Sequence, residues 1–148
     1  VGVILVISIA LAAHNPDPTL RTIDLISITL LFGAIGGETI ADRQLRLFNV
    51  KRENRGTVCD VGLWGWSRHP NYFFEWLFWV GVAITAVDID GHNPYGWLAL
   101  AAPVSMYWVL VHVSGIPPLE AHMLRSRGDA FRAYQRRTSA FFPIPPST

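Results

Sequence analysis

The chain has 148 residues, of which 51% are hydrophobic and 16% charged, with a mean hydropathy of +0.30. Soluble domains carry about 25% charged residues, so an ordinary water-soluble globule is not expected, and a net charge of +1 gives no footing for a nucleic-acid partner. The single cysteine, Cys59, excludes a disulfide framework and a four-cysteine metal site and is expected to be an inert thiol.

The length suits one domain, 1–148, and its charges avoid four apolar blocks. The first, Val1 to Ala13, is shorter than the roughly 20 residues a membrane helix needs. No basic segment precedes it, so it does not read as a signal peptide; it reads as the end of a helix that began further upstream. A turn is expected at Asn15-Pro16. The second block has its core at Leu25 to Ile35 and thins out toward Phe48. Its "GAIGG", 33–37, lacks dinucleotide-fingerprint spacing and follows no strand, so these small residues are expected to let helices approach closely. Glu38 and Asp42 are four apart and share one helix face, with Gln44 and Arg46 following.

A basic loop, 42–70, holds Arg43, Arg46, Lys51, Arg52, Arg55 and Arg68. The third block, Phe73 to Val87, opens on "RHPNYFFEW", where Asn71, Tyr72, Glu75 and Trp79 fall on one stripe. Asn93-Pro94 is the next expected turn. The fourth block, Trp97 to Ile116, is long enough to span by itself and carries a lone His112, expected to hydrogen-bond between helices. Trp64, Trp66, Tyr95 and Trp97 lie near block ends, where aromatic belts form. In the tail, 118–148, "PLEAHMLRSRGDAFRAYQRR" reads as one or two amphipathic helices on the membrane face, and "FFPIPPST" as a terminal coil. His14 and His92 are expected to be solvated, and His122 near Glu120 does not make a metal site.

Every Lys and Arg except Arg21 lies in the 42–70 loop or in the tail. With four spans these segments share a side, and the positive-inside rule makes that side cytoplasmic. The expected fold is therefore all-α: an integral membrane bundle of about four transmembrane helices plus an amphipathic C-terminal helix. An ionisable residue inside a membrane helix costs about 2.5 to 3.5 kcal/mol and usually has a task. The Glu38/Asp42 and Asn71/Glu75 stripes lie at the cytoplasmic ends of their helices, beside the basic loop. Arginines bind phosphate through forked donors. Asn and carboxylates suit amide and ribose groups, and Tyr and Trp supply flat walls. Together these parts match a nucleotide. In the bland alternative the carboxylates pair with loop arginines, and residues such as Arg52 and Arg132 touch anionic lipid.

"ETIADRQLRLF", "GLWGWSRHPNYFFEW" and "MLRSRGDAFRAYQRRTSAFFPIPP" resemble the steroid 5-alpha-reductase-like membrane family, in particular its bacterial DUF1295 branch, over roughly residues 33 to 146. The "RHPNY" motif is shared with isoprenylcysteine carboxyl methyltransferases, which use S-adenosylmethionine and show two adjacent glutamates before the tail helix; here Glu120 is followed by Ala121. The resemblance implies a multi-pass enzyme of the bacterial inner membrane. It would use NADPH to reduce an activated carbon–carbon double bond in a lipid-like substrate. It places Asp42 and Glu38 at the cofactor, Asn71 and Glu75 at the nicotinamide end with Trp79 in the same pocket, and Arg46, Lys51 and Arg55 near phosphates; Arg68 and Tyr72 join these as cofactor-binding candidates from the basic loop and the Asn71 stripe. Tyr134 and Arg137 match the tail motif. Such reductases often carry several histidines before that tail; this chain has only His122 there. The family's substrate-polarising Tyr and Glu lie upstream of the matched region, so the chain is expected to be the C-terminal, cofactor-binding part of a longer protein. Three readings remain: the reductase, the methyltransferase, and a non-catalytic membrane protein whose loop binds anionic lipid.

Overall fold

The computed structural model describes residues 1–14, 21–88 and 93–146. The turn expected at Asn15-Pro16, and His92, lie outside them. The named elements among the described residues are all helical, without a strand: α1 Gly2–Ala13, α2 Thr22–Val50, α3 Pro70–Ala86, α4 Ala101–Trp108, α5 Ile116–Arg127 and α6 Asp129–Arg137. A 3-10 turn, Gly96–Leu100, leads into α4, and a π-helical turn, Val109–Val113, follows it and carries His112. Two helical stretches, Thr22–Val50 and Gly96–Arg127, are long and apolar enough to cross a membrane. As helices, α1 and α3 are shorter than the roughly 20 residues a crossing needs. The long stretches direct large apolar side chains outward: Phe32 on α2 is 74% exposed and Val104 on α4 is 70% exposed.

The chain forms two compact units. Unit 1 comprises Val1–Ile35 and Glu75–Val109, and unit 2 comprises Gly36–Phe74 and Leu110–Thr148. Unit 1 is held by small residues. Ala83, Ala86 and Ala99 form its buried centre, with Leu11 and Ala12 against them. A Cβ on Gly96 would run into the carbonyl of Ala86, so only glycine allows this approach. Hydroxyls bridge the helices, as membrane interiors favour. Ser8 donates to the Ala99 carbonyl at 3.2 Å, and Ser27 donates to the Gly81 carbonyl at 2.7 Å. Arg21, the outlier of the basic pattern, is neutralised here. Its guanidinium pairs with Asp24 at 2.8 Å and lies 3.7 Å from Asp88, whose side chain is 2% exposed.

In unit 2, α2 continues to Val50, so Asp42, Arg43 and Arg46 sit on a helix rather than in the loop. The loop is stapled back onto that helix. Gln44 accepts the Leu63 N–H at 3.0 Å, Trp64 donates its indole N–H to the Ala41 carbonyl at 2.9 Å, and Asn54 donates to the Phe48 carbonyl at 2.8 Å. Gly62, at φ +58°, packs against Gln44 where a side chain would collide. Of the "GAIGG" residues, Gly37 serves the expected close approach, since a Cβ there would strike the Phe74 ring; Gly33 and Gly36 face open space. Pro70 opens α3 with its fixed φ.

Two expectations about the tail and the aromatics are corrected. Trp64 is 8% exposed and belongs to the interior of unit 2, whereas Trp66, Tyr95 and Trp97 are exposed as belt residues would be. The apolar face of α6, Phe131 and Tyr134, is buried in the protein rather than turned to a bilayer. Gly128, at φ +51°, separates α5 from α6. The terminal segment is non-helical but firmly docked: Ser139 bridges Ser67, Arg68 N–H donates to the Ser139 carbonyl at 2.8 Å, and Ile144 N–H donates to the Trp66 carbonyl at 3.1 Å. Phe73 meets Phe141 and Phe142 edge-on.

Candidate functional site

Loop and tail meet in unit 2 around a cavity of about 260 Å³. Its apolar wall comes from Leu45, Val58, Cys59, Trp64, Leu119, Met123, Phe131 and the Tyr134 ring; its polar groups are Asn49, Thr57, Arg68, His69, Asn71 and Arg127. Each is placed by an element already described: α2 ends in Leu45 and Asn49, α3 begins at Asn71, and α5 and α6 close the far side.

Of the residues expected at a site, Arg68, Asn71 and Tyr134 line this cavity. Among the described residues Asn71 makes no side-chain hydrogen bond, so its carboxamide is available to a ligand. Arg68 differs from expectation: its guanidinium is committed to the protein. It donates to Glu120 at 2.6 Å, to the Thr138 carbonyl at 2.5 Å and to the Gln135 carbonyl at 3.2 Å. Few donors are left for a phosphate. Tyr134 offers its ring but not its hydroxyl, which donates to the Trp64 carbonyl. Burial pushes that phenol well above its usual range, so it stays a neutral donor. Burial likewise raises the Cys59 thiol, which keeps it protonated and unreactive.

Glu38, Asp42, Arg46, Lys51, Arg55, Tyr72, Glu75, Trp79 and Arg137 are not on this wall. Glu38 and Asp42 share a face of α2, with Asp42 exposed and Glu38 half-buried. Arg46 and Arg55 are exposed and, among the described residues, make no ion pair, as is also true of Arg43, Arg52, Arg125 and Arg136. Lys51 lies 3.9 Å from Glu53. Tyr72 stacks on His69 with centroids 5.6 Å apart. Glu75 and Trp79 are half-buried in unit 1. Arg137 pairs with Asp60 and lies over the Tyr134 ring at 6.0 Å.

Sequence reasoning passed over Glu120 and His69. Glu120 accepts from Arg68, from His69 Nε2 at 3.2 Å and from Gln135 at 2.7 Å, with its side chain 14% exposed. The available signal was Arg-His directly before a proline helix start, plus one carboxylate in the second turn of the tail helix. Their separation of some fifty positions hid the pairing. No three His, Cys, Asp or Glu side chains gather as a metal site among the described residues.

The DUF1295 family model, described as a protein of unknown function, matches residues 1–138. No curated protein and no solved structure matches the chain.

Proposed function

Since the chain belongs to the DUF1295 family, whose description carries no activity, we propose that it is a multi-pass membrane oxidoreductase in which unit 2 binds NADPH. It would reduce an activated double bond of a lipid-like substrate, as its resemblance to the steroid 5-alpha-reductase-like family implies. The observation that carries this reading is the unit 2 cavity. It has flat apolar walls, an uncommitted Asn71 carboxamide and an Arg127 whose Nε alone is engaged, on the Thr57 carbonyl at 3.1 Å. At about 260 Å³ it lies just below the usual 300–1,000 Å³ of small-molecule pockets. It suits one ring-bearing end of a dinucleotide rather than its whole length. Asn71 would hold an amide, Trp64 and Phe131 would enclose a ring, and the unpaired arginines of unit 2 would attract phosphates. Bound there, NADPH would supply a hydride; the protein's part is to hold it, orient it and exclude water.

Membrane residence is supported by the two long apolar helices and by their outward apolar side chains. A common side for the basic loop and the tail is supported by their hydrogen bonds to each other. Cysteines introduced at the exposed Thr57 and Ser126 should therefore label from the same, cytoplasmic, side of sealed vesicles. Labelling from opposite sides would remove the four-span topology.

A thermal shift of the detergent-solubilised protein tests the cofactor. A ligand at a hundred times its Kd stabilises the folded state by about 2.7 kcal/mol. NADPH is expected to raise the melting temperature, and S-adenosylmethionine is not. The reverse result would establish the methyltransferase, and no response to either would leave lipid binding. NADPH should bind at least about tenfold tighter than NADH, a difference of about 1.4 kcal/mol, because the 2′-phosphate adds charge for the free arginines. That margin should shrink with salt. Asn71→Ala should weaken NADPH by roughly 0.5–1.5 kcal/mol without lowering the melting temperature of the ligand-free protein, since no internal hydrogen bond is lost.

A further inference from the structure

His69 is 7% exposed and lines the cavity, yet it is only half satisfied. Its Nε2 lies 3.2 Å from Glu120 Oε1. A carboxylate only accepts, so Nε2 carries the hydrogen. Nδ1 has no partner among the described residues. No buried side-chain nitrogen or oxygen among them lacks a partner, so Nδ1 is not sealed in the interior. The open space that His69 borders is the cavity. A histidine kept only for packing needs no more than one partner, and what sets His69 apart is that it also borders the cavity. A histidine that is carboxylate-bound on one side and open on the other has the form of a general acid or base.

The other protic groups of the wall are excluded by their surroundings. Cys59 stays a thiol, Tyr134 spends its hydroxyl on Trp64, and the arginines do not deprotonate. Imidazole is the one side chain left that changes charge between about pH 5 and 8.

We propose that His69 is the proton-donating residue of this cavity and that Glu120 positions it. The proposal rests on the reductase reading. In that reaction one carbon of the activated double bond receives the hydride from NADPH, and the π electron pair moves to its neighbour. The His69 imidazolium gives its Nδ1 proton to that neighbour: an N–H bond breaks and a C–H bond forms. The neutral ring then takes a proton from water at the cavity mouth. NADPH is oxidised, the double bond is reduced, and one solvent proton is consumed. Glu120 fixes the ring through Nε2 and offsets the imidazolium charge, and Arg68 and Gln135 hold the carboxylate in place.

The test uses the full chain in detergent. Diethyl pyrocarbonate acylates accessible imidazole, and mass spectrometry reads each histidine, with exposed His122 as internal reference. His69 should react at a rate comparable with His122 despite its burial, and NADPH should slow His69 alone. NADPH affinity is then followed from about pH 5 to 8, the imidazole window. The wild type should gain affinity on acidification and His69→Gln should not. Glutamine can keep the bond to Glu120, so this variant should stay folded. The charged groups around His69 are Arg68, Arg127 and Glu120; in Glu120→Gln the gain should move to more acid pH, because the imidazolium has lost its counter-charge. A purely structural Glu120 would leave that profile unmoved. An unreactive His69, or one that NADPH does not protect in a protein that NADPH stabilises, overturns the proposal. A freely reactive His69 in a protein that NADPH does not stabilise supports an open acid–base residue and sinks the cofactor reading instead.

Discussion

Arg68→Ala should destabilise the protein by about 3–5 kcal/mol, the range for orphaning one partner of a buried ion pair. The side chains of Arg68 and Glu120 are only 11% and 14% exposed. Arg68 also caps two carbonyls of the tail, those of Gln135 and Thr138, so its loss removes the staple between α3 and the terminal segment. A denaturant titration in detergent measures the change. Adding Glu120→Gln should recover part of it, because no unpaired charge then remains. Arg68→Lys should recover little, since a single ammonium cannot reproduce the fork that reaches Glu120 and two carbonyls. Unchanged stability with loss of NADPH binding would instead return Arg68 to the phosphate-binding role expected of the basic loop.

Phe131→Ala should cost a similar amount, about 3–5 kcal/mol. The ring is 3% exposed, packs beside Tyr134 with centroids 6.0 Å apart and forms part of the cavity wall. Truncation leaves a void that α6 cannot fill without leaving its seat. Phe32→Ala serves as the contrast. That ring is 74% exposed on α2, and exposed substitutions usually stay within about 0.5 kcal/mol. If both variants lost the same small amount, α6 would lie on the membrane as its sequence suggests.

The sequence by itself determined the helical class, the apolar blocks and the breaks between elements, because these are local matters. Low charge and long apolar runs admit only helices whose backbone bonds are internal. Pro70, Pro117-Pro118 and Gly128 mark boundaries through backbone sterics alone. It also set apart one basic loop and one basic tail, and that segregation survives in unit 2, where the two are bonded together. Which charges are used up and which are free only the tertiary structure decided. Arg68 and Arg46 look alike in a basic run, yet one is fixed by Glu120 and the other has no ion pair among the described residues. Trp64 and Trp66 differ by two positions, and one is interior while the other is exposed. The α6 stripe is equally amphipathic whether it meets lipid or protein, so its moment could not say which one covers it. The His69–Glu120 pair joins residues 51 positions apart. Periodicity extends only a few turns along a helix; bringing such residues within 3.2 Å depends on α5 and α6 folding back over the start of α3.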